Sequence, residues 1–389
     1  MYRVKLFNKI SSAGTDVLGN AGGWEWSDSF DDYEAILVRS ADLHEVDFPK
    51  GLRCIARAGA GVNNIPIDTC SERGIVVFNT PGANANAVKE LVICSLLLSS
   101  RRIPAAIEWA KTLKGQGADI SKLAEKGKGN FAGPEIAGKR LGVIGLGAIG
   151  VLVANAAVSL GMEVLGFDPY ISIDAAWGLS RSVERAASMK QIFETCDYLT
   201  IHVPATPETK GMLNADSLAT MKPGMRILNV ARGELVNNTD LAKLLSCGAV
   251  SCFVTDFASE ETLSMPNTIV LPHLGASTPE SEDNCARMAA REIVDYLENG
   301  NISNSVNLPN VSMEREGKYR LCVINRNVPN IVGQISTKLA SEGINIENMV
   351  NRSKKDYAYT LVDTNTELTP SMLEHLHSVE GVLHVRMIG

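Results

Sequence analysis

The sequence predicts an α/β protein with two doubly wound parallel-sheet domains, followed by a smaller C-terminal α+β domain. Three observations predict this. Short apolar runs alternate with helix-period segments through about the first 310 residues. A glycine-rich turn follows one of those runs, at Gly145 to Gly150. Beyond residue 317 the order of elements changes to βαββαβ.

Bulk properties agree with several folded domains. The chain has 389 residues, more than one hydrophobic core usually organises. Apolar residues make up 45% and charged residues 21%, which are ordinary globular values. The net charge of -7 argues against a general nucleic-acid or anionic-membrane surface, while a local basic pocket for a small acidic substrate stays compatible with it. No secretory pattern opens the sequence, and its longest apolar stretches, such as Leu91 to Leu98, are too short to span a bilayer. The eight cysteines lack CxxC pairing and read as reduced thiols, so a cytoplasmic location and no metal site are expected.

Strands are expected at Val4 to Phe7, Ala35 to Val38, Arg53 to Ala58 and Ile75 to Phe78, with a short helix at Ile67 to Glu72 and a long one at Ala85 to Ser99. A Gly- and Lys-rich loop, Lys114 to Gly138, leads to a second series. Its strands are Leu141 to Ile144, Glu163 to Phe167, Tyr198 to His202, Arg226 to Val230, Val250 to Thr255 and Thr268 to Leu271. A second long helix is expected at Pro279 to Asn299.

The run Gly142-Val143-Ile144-Gly145-Leu146-Gly147-Ala148-Ile149-Gly150 carries GxGxxG between a strand and an Ala-rich helix. The next strand ends at Asp168, 18 residues after Gly150. This is the Rossmann-like dinucleotide fingerprint. Gly145 permits the turn, Gly147 lets a pyrophosphate approach, and Gly150 allows close helix packing, while N–H groups at Ala148 and Ile149 face the anion. Asp168 accepts from ribose hydroxyls and repels a 2′-phosphate, so NAD is expected rather than NADP.

In such sheets the ligand lies beyond the carboxyl ends of the strands. The polar residues there are His202-Val203-Pro204, Asn229-Val230-Ala231-Arg232, Asp256 with Glu260-Glu261, and Pro272-His273-Leu274-Gly275-Ala276. The segments GVIGLGAIG, HVPATPET, NVARGELVN and LPHLGAST together resemble the D-2-hydroxyacid dehydrogenases. That resemblance implies Arg232 as the substrate anchor, His273 as the general acid/base and Glu261 as the carboxylate behind it. The family usually has Pro after this Glu, and this chain has Glu260-Glu261-Thr262, so Glu260 is an alternative partner. The cofactor contacts implied are Val203, Val230, Ala231, Arg232, Asp256, His273, Gly275 and Ala276, besides the glycine loop. Oxidising an alcohol requires a base for the hydroxyl proton as hydride leaves, which suits His; a fixed cation for the carboxylate suits Arg.

The N-terminal segments around Arg39, Arg57-Ala58-Gly59-Ala60-Gly61 and Asn79 to Asn84 resemble the family's substrate domain. Backbone N–H groups at Ala60 and Gly61 form a nest for the substrate carboxylate, with Asn84, Arg232 and His273 as further contacts. Arg39 and Arg57, unless they are surface ion pairs, meet a second anion, which favours phosphoglycerate over lactate or glycerate; Lys139 is a further phosphate candidate. A sister 2-hydroxyacid dehydrogenase, or a nucleotide-sensing corepressor on the same fold, remain as alternatives.

Residues 299 to 316 read as a polar linker. The tail then shows strand Arg320 to Asn325, helix Ile331 to Ser341, strands Ile344 to Asn351 and Tyr357 to Thr364, helix Pro370 to His377 and strand Val382 to Met387. This ferredoxin-like order resembles an ACT domain, a family that binds an amino acid between paired domains. The resemblance implies Asn327 and Asn345 as effector contacts, L-serine as effector, and a homodimer or homotetramer. The expected division is a substrate domain at 1–98 with 280–308, a nucleotide domain at 99–279, and the ACT-like domain at 317–389.

Overall fold

A computed structural model describes residues 1–389 and shows three sheets in two compact units, Met1–Asn84 with Pro279–Gly389, and Ala85–Thr278. In the first unit a parallel sheet contains β1 (Tyr2–Phe7), β2 (Trp24–Ser27), β3 (Ala35–Val38), β4 (Cys54–Arg57) and β5 (Val76–Phe78), in the order β2-β1-β3-β4-β5. The strands β3 and β5 are apolar without interruption because both faces are covered. Ala35 and Leu37 pack with Cys285, Ala289 and Ile293 of the helix Pro279–Asn299, whereas Ile36 and Val38 pack with Phe48, Ile55 and Cys70. The edge strand β2, with sequence Trp-Glu-Trp-Ser, has no apolar run to announce it.

The third sheet belongs to the same unit. It contains β13 (Tyr319–Arg326), β14 (Asn348–Lys354), β15 (Tyr357–Thr364) and β16 (Val382–Ile388), antiparallel in the order β14-β15-β13-β16. With helices Ile331–Ser341 and Pro370–His377 this is the ferredoxin-like order read from sequence. Along β13, Leu321 and Val323 face those helices, while Cys322 and Ile324 join the core that contains Ile293, Tyr296 and Leu297. Sequence placed β14 at Ile344; the strand starts at Asn348, after Ile344 has packed against Leu339 and Leu376.

The polar stretch after residue 299 is not a free linker. Ile302, Leu308, Val311 and Met313 are buried, and Asn307 accepts from Val77 N–H at 2.9 Å while its amide donates to Ser71 and to Ile75 O. Its Ser and Asn side chains satisfy buried backbone groups, so a polar composition here marks packing against β5. Arg320, fully buried, pairs with Asp363 through two contacts of 2.7 and 2.9 Å and donates its remaining N–H groups to the carbonyls of Asn299, Met313 and Glu314. Arg386 donates to the carbonyls of Tyr296 and Leu297, so two arginines of the third sheet satisfy the last turn of the long helix.

The second unit holds a seven-stranded parallel sheet: β6 (Arg140–Ile144), β7 (Glu163–Phe167), β8 (Val183–Arg185), β9 (Tyr198–Ile201), β10 (Met225–Asn229), β11 (Val250–Thr255) and β12 (Thr268–Val270). The order is β12-β11-β10-β9-β6-β7-β8, with β6 at the switch point where the winding reverses. The edge strand β8 was not legible in the sequence, since its three residues are mostly exposed. Helix Ala85–Arg101 packs Val88, Val92 and Leu96 against Leu141, Val143 and Val254 of this unit, which puts the unit boundary at residue 84 rather than 98. The expected loop at 114–138 contains a helix, Ile120–Gly127, flanked by 3-10 turns, none of which buries a side chain.

Candidate active site

β6 ends at Ile144, and the backbone turns at Gly145 with φ 91. A Cβ there would lie 2.7 Å from His202 O, and one at Gly150 would lie 1.9 Å from Gly145 O. Both glycines are therefore required by packing. Gly147 differs, because a Cβ there would meet nothing within 4 Å. It caps helix Ala148–Ser159 without any side-chain hydrogen bond, so the N–H groups of Ala148 and Ile149 in the first turn have no intrahelical partner. Open room, unpartnered donors and a helix N-terminus fit a pyrophosphate. Asp168 accepts from Leu146 N–H and Tyr170 N–H, each at 2.8 Å, which braces the glycine loop from the end of β7. Val203 follows β9, and the half-buried His202 beside it bonds Thr200 at 3.0 Å, with its pKa pushed down to about 4 by desolvation of its ring.

The residues after β10 and β11 are built on two buried polar side chains. Asn229, fully buried, accepts from the N–H groups of Ala231 and Arg232 at 3.2 and 3.3 Å and donates to Arg232 O at 2.8 Å. This holds Arg232 extended and exposed, with Val230 buried beneath it. Asp256 donates its own N–H to Asn229 O at 3.1 Å. Its carboxylate takes the N–H groups of Leu274 and Gly275, both at 2.8 Å. His273 precedes them at φ 59, its ring edge-on to Phe257 with centroids 5.3 Å apart. A non-glycine residue in this backbone region is strained and persists only where its surroundings hold it. Asp256, a cofactor contact in the sequence reading, accepts one N–H of the His273 loop at each carboxylate oxygen. Asn229 was passed over as a site residue, although Asn directly between an apolar strand and Arg was its signal.

Glu261 lies on helix Glu260–Ser264, exposed, and accepts from Asn238 at 3.0 Å. No ion pair or hydrogen bond joins Glu260 or Glu261 to His273. Gly275 and Ala276 continue the His273 loop. Lys139 is misplaced by the sequence reading: it precedes the amino end of β6, whereas the glycine loop leaves the carboxyl end.

In the other unit, Arg57 donates from Nε to Arg39 O at 3.0 Å. A Cβ at Gly59 would lie 2.6 Å from the Arg57 guanidinium, so that group lies over the loop through Ala60 and Gly61. Asn79 pins the same loop by donating to Ala60 O at 2.6 Å. Arg39 instead pairs with Glu282 at 2.7 Å, both side chains 42% exposed. Asn84 closes this unit's first segment, partly buried. In the third sheet, Asn327 donates to Lys355 O and Asn345 to Glu347, and no bond connects the two asparagines.

With the glycine loop and the loops of Arg232 and His273 at the carboxyl ends of the second unit's strands, the comparisons with known proteins assign the chain. Residues 94–275 match the model of the D-isomer specific 2-hydroxyacid dehydrogenase NAD-binding domain. The chain belongs to the D-isomer specific 2-hydroxyacid dehydrogenase family, and the matched segment is that family's NAD-binding domain. It is 32% identical to a D-3-phosphoglycerate dehydrogenase of Haemophilus influenzae, over 98% of this chain and 96% of that one. It is also 32% identical to one from Methanocaldococcus jannaschii, over 87% of this chain, and spans only 62% of that longer relative. Among solved structures it resembles NAD+-bound 3-phosphoglycerate dehydrogenase of Entamoeba histolytica, with a TM-score of 0.61 and 25% identity, covering 79% of this chain and 98% of that one. No helix is long and apolar enough to cross a membrane.

Proposed function

We propose that the chain oxidises D-3-phosphoglycerate to 3-phosphohydroxypyruvate with NAD, the reaction that leads toward L-serine. The observation that carries this reading is the common support beneath Arg232 and His273: Asn229 and Asp256, at the carboxyl ends of β10 and β11, hold the Arg232 loop and the His273 loop that follows β12. Gly145, Gly147, Ala148, Ile149, Gly150 and Asp168 would hold NAD, which supplies the hydride acceptor. Arg232 pairs with the substrate carboxylate and polarises the C2 oxygen. An imidazole nitrogen of His273 takes the hydroxyl proton as hydride leaves and returns it in reduction. Glu261 orients that imidazole after leaving Asn238; Glu260, one residue earlier, is the alternative.

Near full-length similarity to the Haemophilus influenzae enzyme supports the phosphorylated substrate. Arg57 over the 59–61 loop supports an anion there at Ala60 and Gly61, and Asn84 is a further substrate contact of this reading. The Arg39–Glu282 pair favours a second reading, oxidation of an unphosphorylated acid such as glycerate. The third sheet serves regulation or assembly, with L-serine at Asn327 and Asn345. Exposed Leu97, Ile103, Ile107 and Ile120 support a homodimer or homotetramer, and the acidic composition fits a cytoplasmic protein. NADH oxidation is measured with 3-phosphohydroxypyruvate, hydroxypyruvate and pyruvate, with and without L-serine. Preference for the phosphorylated substrate supports the proposal; preference for hydroxypyruvate selects the second reading. Absence of turnover with all three selects a nucleotide-sensing binding protein.

A further inference from the structure

The first unit contains an open cavity of about 490 Å³ along the long helix Pro279–Asn299, and neither Arg39 nor Arg57 lines it. Arg287, Arg291, Glu292 and Asp295 line it from the helix, Asn301 and Asn304 from the following segment, and Gly82 and Ala83 from the loop after β5. Arg287 and Arg291 stand four residues apart, the spacing at which like charges on a helix repel. Arg287 is held by Asn284 at 3.1 Å and by Asp283 at 3.7 Å; Arg291 has neither a hydrogen bond nor an ion pair.

A second observation points to a ligand. Glu292 is 7% exposed; Oε1 accepts from Asn304 at 2.7 Å, while Oε2 has no partner. Desolvation pushes its carboxyl up to about 8, so at neutral pH it is an acid with an O–H to donate. A buried polar atom without a partner is rare enough to need an explanation. Asp295 is already committed to Asn299 and Asn301. The cavity thus offers two guanidinium groups and one buried O–H, a set complementary to an oxyanion.

We propose that this cavity is a second anion site that binds a small phosphorylated or carboxylated metabolite, with Arg287, Arg291 and Glu292 as its contacts. Gly82 and Ala83 immediately precede Asn84, where the chain leaves this unit, and the helix starts at Pro279, where it returns. The ligand therefore ties together both segments that lead to the crossings and acts as an effector of turnover. Only this last clause rests on the dehydrogenase reading.

Binding is tested by calorimetric titration of the full chain with inorganic phosphate and, separately, with succinate, at constant ionic strength. Arg57→Ala silences the proposed substrate loop, so binding that persists in it belongs elsewhere. Against that background, Arg291→Glu, at an exposed position, is expected to weaken binding at least tenfold, and Arg287→Ala to do the same. Phosphate binding alone assigns a phosphorylated ligand, and succinate binding alone a carboxylate. No binding of either anion in the Arg57→Ala protein, or unchanged binding after Arg291→Glu, overturns the proposal. Phosphate binding that survives with no turnover on any 2-oxo acid leaves the site standing and rejects the catalytic reading.

Discussion

The backbone carbonyl of Asn229 accepts the N–H of Asp256 at 3.1 Å, and through that bond the loop of Arg232 and the loop of His273 share one buried support. Asn229 spends its amide on the Arg232 loop; Asp256 spends its carboxylate on the His273 loop. The loops of Arg232 and His273 follow different strands, yet their separation is set by two side chains that are fully or almost fully buried.

Asp256→Asn should therefore damage turnover without touching the reacting groups. An amide cannot accept both N–H groups, and misplacement of the His273 loop is expected to lower kcat about 10²-fold. NADH fluorescence titration should show little change; a kcat equal to wild type would remove Asp256 from this role.

His273→Ala should reduce kcat by roughly 10²- to 10⁴-fold, the range for a lost general acid/base. Cofactor binding and the melting temperature should stay close to wild type. Loss of fold together with loss of activity would mean that His273 is chiefly a structural turn residue.

The glycine loop gives a paired test. Gly150→Ala would place a methyl 1.9 Å from Gly145 O, so destabilisation of about 1–3 kcal/mol is expected in thermal melts. Gly147→Ala meets nothing within 4 Å, so it should fold normally and lose NAD affinity. Equal Tm values for the two variants would contradict this division.

Glu292 should impose a pH dependence on stability. Desolvation raises its carboxyl from the ordinary 4.5 to about 8 against the lowering effect of the Asn304 hydrogen bond, with Arg287, Arg291 and Asp295 lining the same cavity, so the folded chain holds a proton that the unfolded chain releases. Stability from this group is fully present below about pH 4.5 and is lost as pH rises toward 8. Glu292→Gln should remove that loss, and its advantage over wild type in urea melts should grow between pH 5 and 8 to the order of a few kcal/mol. Parallel pH profiles for the two proteins would count against a buried neutral acid.

Asp363→Ala should cost about 3–5 kcal/mol, because it leaves the Arg320 guanidinium buried without its carboxylate. Reversible denaturant melts would measure it. A loss below about 1 kcal/mol would mean that the carbonyls of Asn299, Met313 and Glu314 suffice for Arg320.

The sequence by itself determined the fold class, most strands of both parallel sheets, the glycine loop with Asp168, and the positions of Arg232 and His273 just after strands. These are local signals: an apolar run buried on both faces, a turn that only glycine can make, and a polar residue directly after a strand. Edge strands β2 and β8 escaped because an edge need not be apolar. Tertiary structure alone decided that the polar stretch after residue 299 packs against β5, since its asparagines are buried by satisfying backbone groups distant in sequence. It also decided that Asp256 braces the His273 loop, that Glu261 turns to Asn238, and that Arg39 pairs with Glu282. A side chain's partner depends on which strands and helices become neighbours, and sequence spacing carries little information about groups brought together from 18, 23 or 243 residues away.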